Sequence, residues 1–189
     1  MASDVDICNR ALTKLGQARI TSLSEASKAG RALNANYPMI KKAFLRRHVW
    51  TCSVKRATLA ADAEEVDWGR ARSFTLPADF IRLADDYPED NSLSKDWEIE
   101  GNQIFTDDAD PLYLRYVANI SESLMDALCV EALACEIAFE LCEVITESNT
   151  KKQSLKEDKK DAINEAKRAN AIEKVASEPP EDPWITCRN

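Results

Sequence analysis

The residues able to do chemistry in this chain are one histidine, six cysteines and a few short acidic rows. His48 is the sole imidazole, and Cys52 lies four residues beyond it. A nucleophile and its base need a third group to orient them, and no nucleophile motif surrounds either residue. The cysteines are Cys8, Cys52, Cys129, Cys135, Cys142 and Cys187, and none forms a CxxC pair. Zinc needs thiolates or imidazoles clustered at short spacings, which this pattern lacks. Cys135 and Cys142 stand two helical turns apart, too far to bridge within one helix. The thiols are therefore expected as small buried hydrophobes in a reducing cytosol.

Glu136, Glu140, Glu143 and Glu147 recur at spacings of four, three and four. Di-metal bundles point Glu-x-x-His pairs inward, and no histidine is available here, so the row is expected to be a solvated or interface face. Asp107, Asp108 and Asp110 miss the spacing of a calcium loop and its closing glutamate, and read as an acidic turn. No catalytic residue, metal site or cofactor is expected, and the chain is not expected to be an enzyme.

Two features point to partners instead. Lys41, Lys42, Arg46, Arg47, Lys55 and Arg56 are the one basic concentration. They form either a solvated face offset by neighbouring acids, or a patch that meets an acidic partner or DNA in a channel. The other feature is the end of the chain, SEPPEDPWITCRN, whose three prolines in seven residues favour an extended course. It carries Trp184, Ile185 and Arg188. Chain ends are usually loose, but tryptophan is a frequent interface anchor, and prolines lower the entropy cost of ordering an arm.

Composition narrows the class further. The 189 residues are 44% hydrophobic and 31% charged, enough for a packed core. Four glycines leave little room for a phosphate-cradling loop. A net charge of -8 makes a poor general binder of duplex DNA, since binding rests on neutralised phosphates, but suits a channel that DNA slides through. The opening residues lack a basic region followed by an apolar run, and the apolar stretch 132–144 is too short and too interrupted to span a bilayer. A soluble chain made in a cytoplasm, with no membrane contact, is expected.

Periodicity places these residues on an α+β frame: about four helices, with a small antiparallel sheet between the second and third. A first helix is expected over 4–15, with Ser3 or Asp4 as its cap, Val5, Cys8, Leu12 and Leu15 as its stripe, and Gly16 as its stop. A second is expected over 24–47, capped by Ser24, with Pro38 kinking or breaking it near Asn34 to Tyr37. Trp50, Cys52 and Val54 alternate as a brief extended segment, and 57–68 reads as a polar link. Strand-like runs follow across 72–117, at 72–76, 81–83, 97–100, 103–106 and 112–117, with Gly101-Asn102 as a tight hairpin turn. Leu112, Leu114 and Tyr116 alternate with Tyr113, Arg115 and Val117, a strand expected to be covered on both faces. The third helix, 121–147, is apolar round most of its girth, so it belongs at a core centre or a subunit contact. The fourth, 150–175, carries a narrow stripe of Leu155, Ala162, Ala166 and Ala169 and needs a neighbour. Residues 1–176 form one domain in this reading, and 177–189 an extended arm.

Several of these segments, in order, resemble one viral family. VDICNRALTKLGQARITSL looks like the opening of the head-to-tail adaptors of short-tailed bacteriophages, the tail tubular protein A family. AFLRRHVWTCSVKRATLA resembles that family's arginine, histidine, tryptophan series, with Val49 where proline is common. FTLPADFIRL matches its Leu-Pro-x-Asp segment at Leu76, Pro77 and Asp79, and WEIEGNQIFTD its Glu-Gly turn at Glu100 and Gly101. LYLRYV matches the strand leading into the third helix, and Trp184, Ile185 and Arg188 the terminal segment, while the lysine-rich 151–160 is less typical. The resemblance implies a virion structural protein at the portal vertex. Such a protein forms a ring of identical subunits, twelvefold in the resembled phages, and joins the portal to the tail nozzle or needle. It extends the DNA channel without reading sequence and helps retain the genome. Trp184, Ile185, Arg188, Lys41, Lys42, Arg46 and Arg47 are the expected contacts to portal or neighbouring subunit. Two alternatives stand beside this: a head-completion or tail-terminator protein of a long-tailed phage, and a cytoplasmic helical regulator that binds a host protein.

Overall fold

The computed structural model describes residues 2–64, 66–84 and 96–173. Four helices, α1 (Asp4–Leu15), α2 (Lys28–Arg47), α3 (Ala127–Thr146) and α4 (Asn149–Ile172), enclose six strands that run between α2 and α3. The fold is α+β, as the periodicity implied.

Local signals set α1. Ser3 caps it in a reciprocal box with Asp6, worth about 1 kcal/mol. Gly16 closes it at φ 66°, the left-handed conformation that glycine adopts without strain. The cap of α2 is Ser27, whose hydroxyl accepts from the Gly30 N–H at 3.0 Å, not Ser24. Ser24 turns to Ser22, and Glu25 folds back to accept from the Thr21 N–H, which keeps 24–27 outside the helix. Pro38 does not break α2. It sits on the solvent side with Asn34, so the carbonyl that loses its donor is open to water. The third helix starts later than expected. A short 3-10 turn, Glu122–Leu124, comes first, and Asp126 then caps α3 by accepting from Leu128 and Cys129 N–H groups. In α4, Leu155 and Ala166 are buried and Ala162 and Ala169 half-buried, matching the expected stripe; its expected end at 175 lies outside the described residues.

The strands form two three-stranded antiparallel sheets instead of one. In the first, β6 (Leu112–Ala118) is central between β1 (Val54–Leu59) and β3 (Phe80–Leu83). In the second, β5 (Gln103–Thr106) is central between β2 (Arg72–Thr75) and β4 (Trp97–Glu100). The β4–β5 hairpin turns on Gly101 at φ 57°, as two-residue loops require. β1 occupies part of the expected polar link, because Val54 to Leu59 find backbone partners on β6 in register from Val54↔Val117 to Leu59↔Leu112. β6 is covered on one face at its start, where Tyr113 is exposed, and on both at its end, where Tyr116, Val117 and Ala118 are all buried.

α3 is the centre of the molecule. Residues 132–138 are all buried, and α1, α2 and α4 pack round it. Its wide apolar girth is thus used inside the fold. One continuous core joins Leu12, Phe44, Leu133 and Ile137 of the helices to Phe74, Ile104 and Leu114 of both sheets. No described helix is long and apolar enough to cross a membrane.

Candidate functional site

Four of the residues expected to meet a partner stand on the C-terminal half of α2, and the structure separates them. Lys41 points inward. One turn after Tyr37, it donates to Glu122 Oε1 at 2.7 Å, and the Tyr37 hydroxyl donates to the same oxygen at 2.9 Å. Burial pushes the Glu122 carboxyl up, but the hydrogen bond from Lys41, the Tyr37 hydroxyl and the Lys41 charge outweigh it, so Glu122 titrates below its ordinary value. Burial and the facing Glu122 push the Tyr37 phenol upward. Arg47 donates to Glu136 Oε1 at 2.5 Å, and Lys159 of α4 stands 3.5 Å from its other oxygen. Arg46 donates to the Ile81 carbonyl at 2.5 Å, tying α2 to β3. Lys42 alone of the four is exposed with neither an ion pair nor a side-chain hydrogen bond among the described residues. The basic concentration is therefore not one free patch: three of its helical members hold the fold together.

The same layer gathers other singled-out segments. Asp79 of the Leu-Pro-x-Asp segment accepts from Lys55 at 2.7 Å and from the Tyr116 hydroxyl at 2.9 Å, while its own carbonyl accepts from the Asn119 N–H. Burial raises the Asp79 carboxyl, and the two donors bring it below its ordinary value; burial and Asp79 push Tyr116 up to about 12. Arg56 is exposed opposite Arg115 in the β1–β6 register. Trp50 stacks on Phe44 with ring centroids 4.9 Å apart and takes the edge of His48 at 4.7 Å. His48 lies 3.3 Å from the Asn170 amide of α4, whose oxygen also accepts from the Thr51 N–H and hydroxyl. The imidazole thus belongs to a knot between the end of α2 and α4, and not to a pair with Cys52.

The glutamate row divides. Glu140 is exposed, Glu143 pairs with Lys152 at 2.8 Å, and Glu147 pairs with Lys28 at 2.7 Å. Glu136 departs from the expected solvated face: it is 1% exposed, held between Arg47 and Lys159. Two cations on flanking helices make its burial tolerable. The aspartate turn is spread over separate partners. Asp107 accepts from Ala71 N–H and Arg70, Asp108 from Thr106, and Asp110 from Ala61 N–H. Among the described residues, no three metal-ligating side chains come together.

Trp184, Ile185 and Arg188, and the arm 177–189 that holds them, lie outside the described residues. Two groupings had no sequence signal. Asp62 accepts from Ser73, Thr75 and Gln103 and ties the segment before β2 to the second sheet. Cys52 and Cys129, distant in the chain, line one surface cavity. Exposed apolar side chains are spread over several elements: Met39 on α2, Val144 on α3, Trp68 before β2, and Trp97 and Ile99 on the edge strand β4.

No protein-family model matches this chain, and no curated protein matches it significantly.

Proposed function

We propose that this chain is a virion structural protein, the head-to-tail adaptor that forms a ring beneath the portal of a short-tailed bacteriophage. The observation that carries the reading is the ordered series of family-like segments along nearly the whole chain. Their packing supports it. Arg46, Lys55, Asp79, Ile81 and Tyr116, drawn from three of those segments, are joined through direct hydrogen bonds. Segments that resemble one family in order, and also interlock, behave as parts of one folding unit.

The surface suits a ring. Each subunit of a ring meets its two neighbours through different patches. Exposed Trp68 before β2, Trp97 and Ile99 on the second sheet, and Met39 and Val144 on the helices, offer apolar positions on separate elements. In this reading the arm with Trp184, Ile185 and Arg188 docks on portal or on a neighbour, and repetition round the ring multiplies its affinity. Lys42 is the exposed α2 cation that remains for a partner. A net charge of -8 keeps DNA mobile in the channel, and the tail nozzle or needle docks below.

The test is to mix the full chain with the portal of the same virus and weigh the product by native mass spectrometry. A discrete gain equal to a full ring of subunits is expected. No association, with the chain also missing from purified virions, refutes the adaptor and favours a cytoplasmic regulator. Association with a tail tube in place of a nozzle or needle favours the long-tailed reading.

A further inference from the structure

An open groove of about 670 Å³ lies between an edge strand of each sheet, β3 and β4. Phe80, Leu83, Trp97 and Ile99 give it apolar walls, with Trp97 39% exposed and Ile99 38%. The two edges differ in their backbone. On β3 the Ile81 carbonyl accepts from Arg46 at 2.5 Å. On β4, counted back from the two-residue turn, Glu100 and Glu98 are the residues that bond to Gln103 and Phe105 of β5. Trp97 and Ile99 therefore turn their N–H and C=O groups away from β5, and among the described residues no hydrogen bond takes them. An apolar edge of this kind is a template for one more strand.

We propose that this groove is the docking site of the chain's own C-terminal segment, with 184–187 added to β4 as a fourth strand of the second sheet and Trp184 seated against Trp97 and Ile99. Composition, charge and reach select this occupant. Pro183 is the last proline, so Trp184, Ile185, Thr186 and Cys187 all keep an N–H, and the first three are strand formers. The charged groups lining the groove are Arg46 and Arg82, both positive, and Glu178, Glu181 and Asp182 stand just before the strand-forming run. The end of α4 lies near the rim. Asn170 donates to the Val49 carbonyl at 3.1 Å, and Val49 follows Arg46 by at most about 11 Å of chain. Residues 173–183 extend to about 35 Å, enough to pass the end of α2 and enter the groove. A second copy added edge to edge through β4 is disfavoured, because it would bring Glu98 and Glu100 of both strands together.

This docking belongs to the free chain and does not depend on the ring. Under the adaptor reading, portal competes with the groove for Trp184. Docking and release of an arm form a local equilibrium, read in local amide exchange and not in melting.

The test is amide hydrogen exchange followed by NMR on the full chain at pH 7. Slow exchange is expected at the Trp97 and Ile99 N–H groups, with a nuclear Overhauser contact between the Trp184 ring and the Ile99 side chain. Trp184→Ala and Thr186→Pro, the second removing one N–H from the added strand, should each speed exchange at Trp97 and Ile99 about tenfold. Glu98 and Glu100, bonded to β5, should keep their rates in both variants and so report an intact sheet. The protection should not change over an about hundredfold range of protein concentration. Fast exchange at Trp97 and Ile99 in the wild type, equal rates in wild type and variants, or protection that grows with concentration, the mark of docking on a second copy, would overturn the assignment.

Discussion

Replacing Lys41 with alanine should destabilise this protein far more than replacing its neighbour Lys42. Lys41 is 8% exposed and donates to Glu122 at 2.7 Å. Breaking a buried ion pair by removing one partner costs about 3–5 kcal/mol, because the other charge stays buried. Glu122 retains the Tyr37 hydroxyl, and 19% of its side chain reaches water, so the expected loss falls to about 2–3 kcal/mol. For a domain of this size that lowers Tm by roughly 4–12 °C. Lys42→Ala, on the solvent side of the same helix, should stay within about 0.5 kcal/mol. Urea unfolding followed by circular dichroism measures both, and a double-mutant cycle with Glu122→Gln should return a coupling of about 1–3 kcal/mol. The effect depends on pH. Glu122 titrates below its ordinary value in the folded state, so its stabilising share is complete above the unfolded value of 4.5 and is lost as pH falls through the lower folded value. The gap between wild type and Lys41→Ala should therefore narrow in acid. Equal losses for Lys41→Ala and Lys42→Ala at pH 7 would refute the buried pair and return Lys41 to the free basic patch.

Three further expectations follow from single positions. Asn9 is buried, donates to the Ile20 carbonyl at 2.9 Å and accepts from the Ile20 N–H at 2.8 Å; Asn9→Ala orphans both groups and should cost about 2–3 kcal/mol, read as a lower urea midpoint with unchanged slope. Gly30 lies inside a helix, where alanine ordinarily gains about 1 kcal/mol, but a Cβ there would meet the Glu25 carbonyl oxygen at 2.6 Å. Gly30→Ala should thus lower the melting temperature, and a rise would show that the chain before α2 yields freely. Under the adaptor reading, Trp184→Ala should weaken portal attachment by about 2 kcal/mol per arm, roughly 30-fold, with melting unchanged; equal recovery in a portal pull-down would remove Trp184 as an anchor.

Features set by neighbours in the chain were legible in the sequence. Ser3 and Gly16 bound α1, the Gly101-Asn102 turn closed β4 on β5, and the stripe of α4 lay where spacing put it. Each depends on contacts a few residues apart. Element edges drifted where a competing local bond was available, as when Ser27 took the cap from Ser24, and Asp126 restarted α3 after a 3-10 turn.

The sequence by itself determined the helix-strand-helix order, the apolar girth of α3 and the absence of familiar catalytic spacing, because periodicity and short-range motifs are properties of adjacent residues. Only the tertiary structure decided where each charge goes. Lys41 and Lys42 are adjacent and chemically alike, yet one meets Glu122 in the interior and the other meets solvent. Glu136 and Glu140 are one turn apart on α3, yet only the first faces Arg47 and Lys159. The division of the strands into two sheets and the meeting of Cys52 and Cys129 at one cavity have the same origin. A pairing between distant segments depends on which surfaces the packed core brings together, and a linear pattern records that only after the chain has closed on itself.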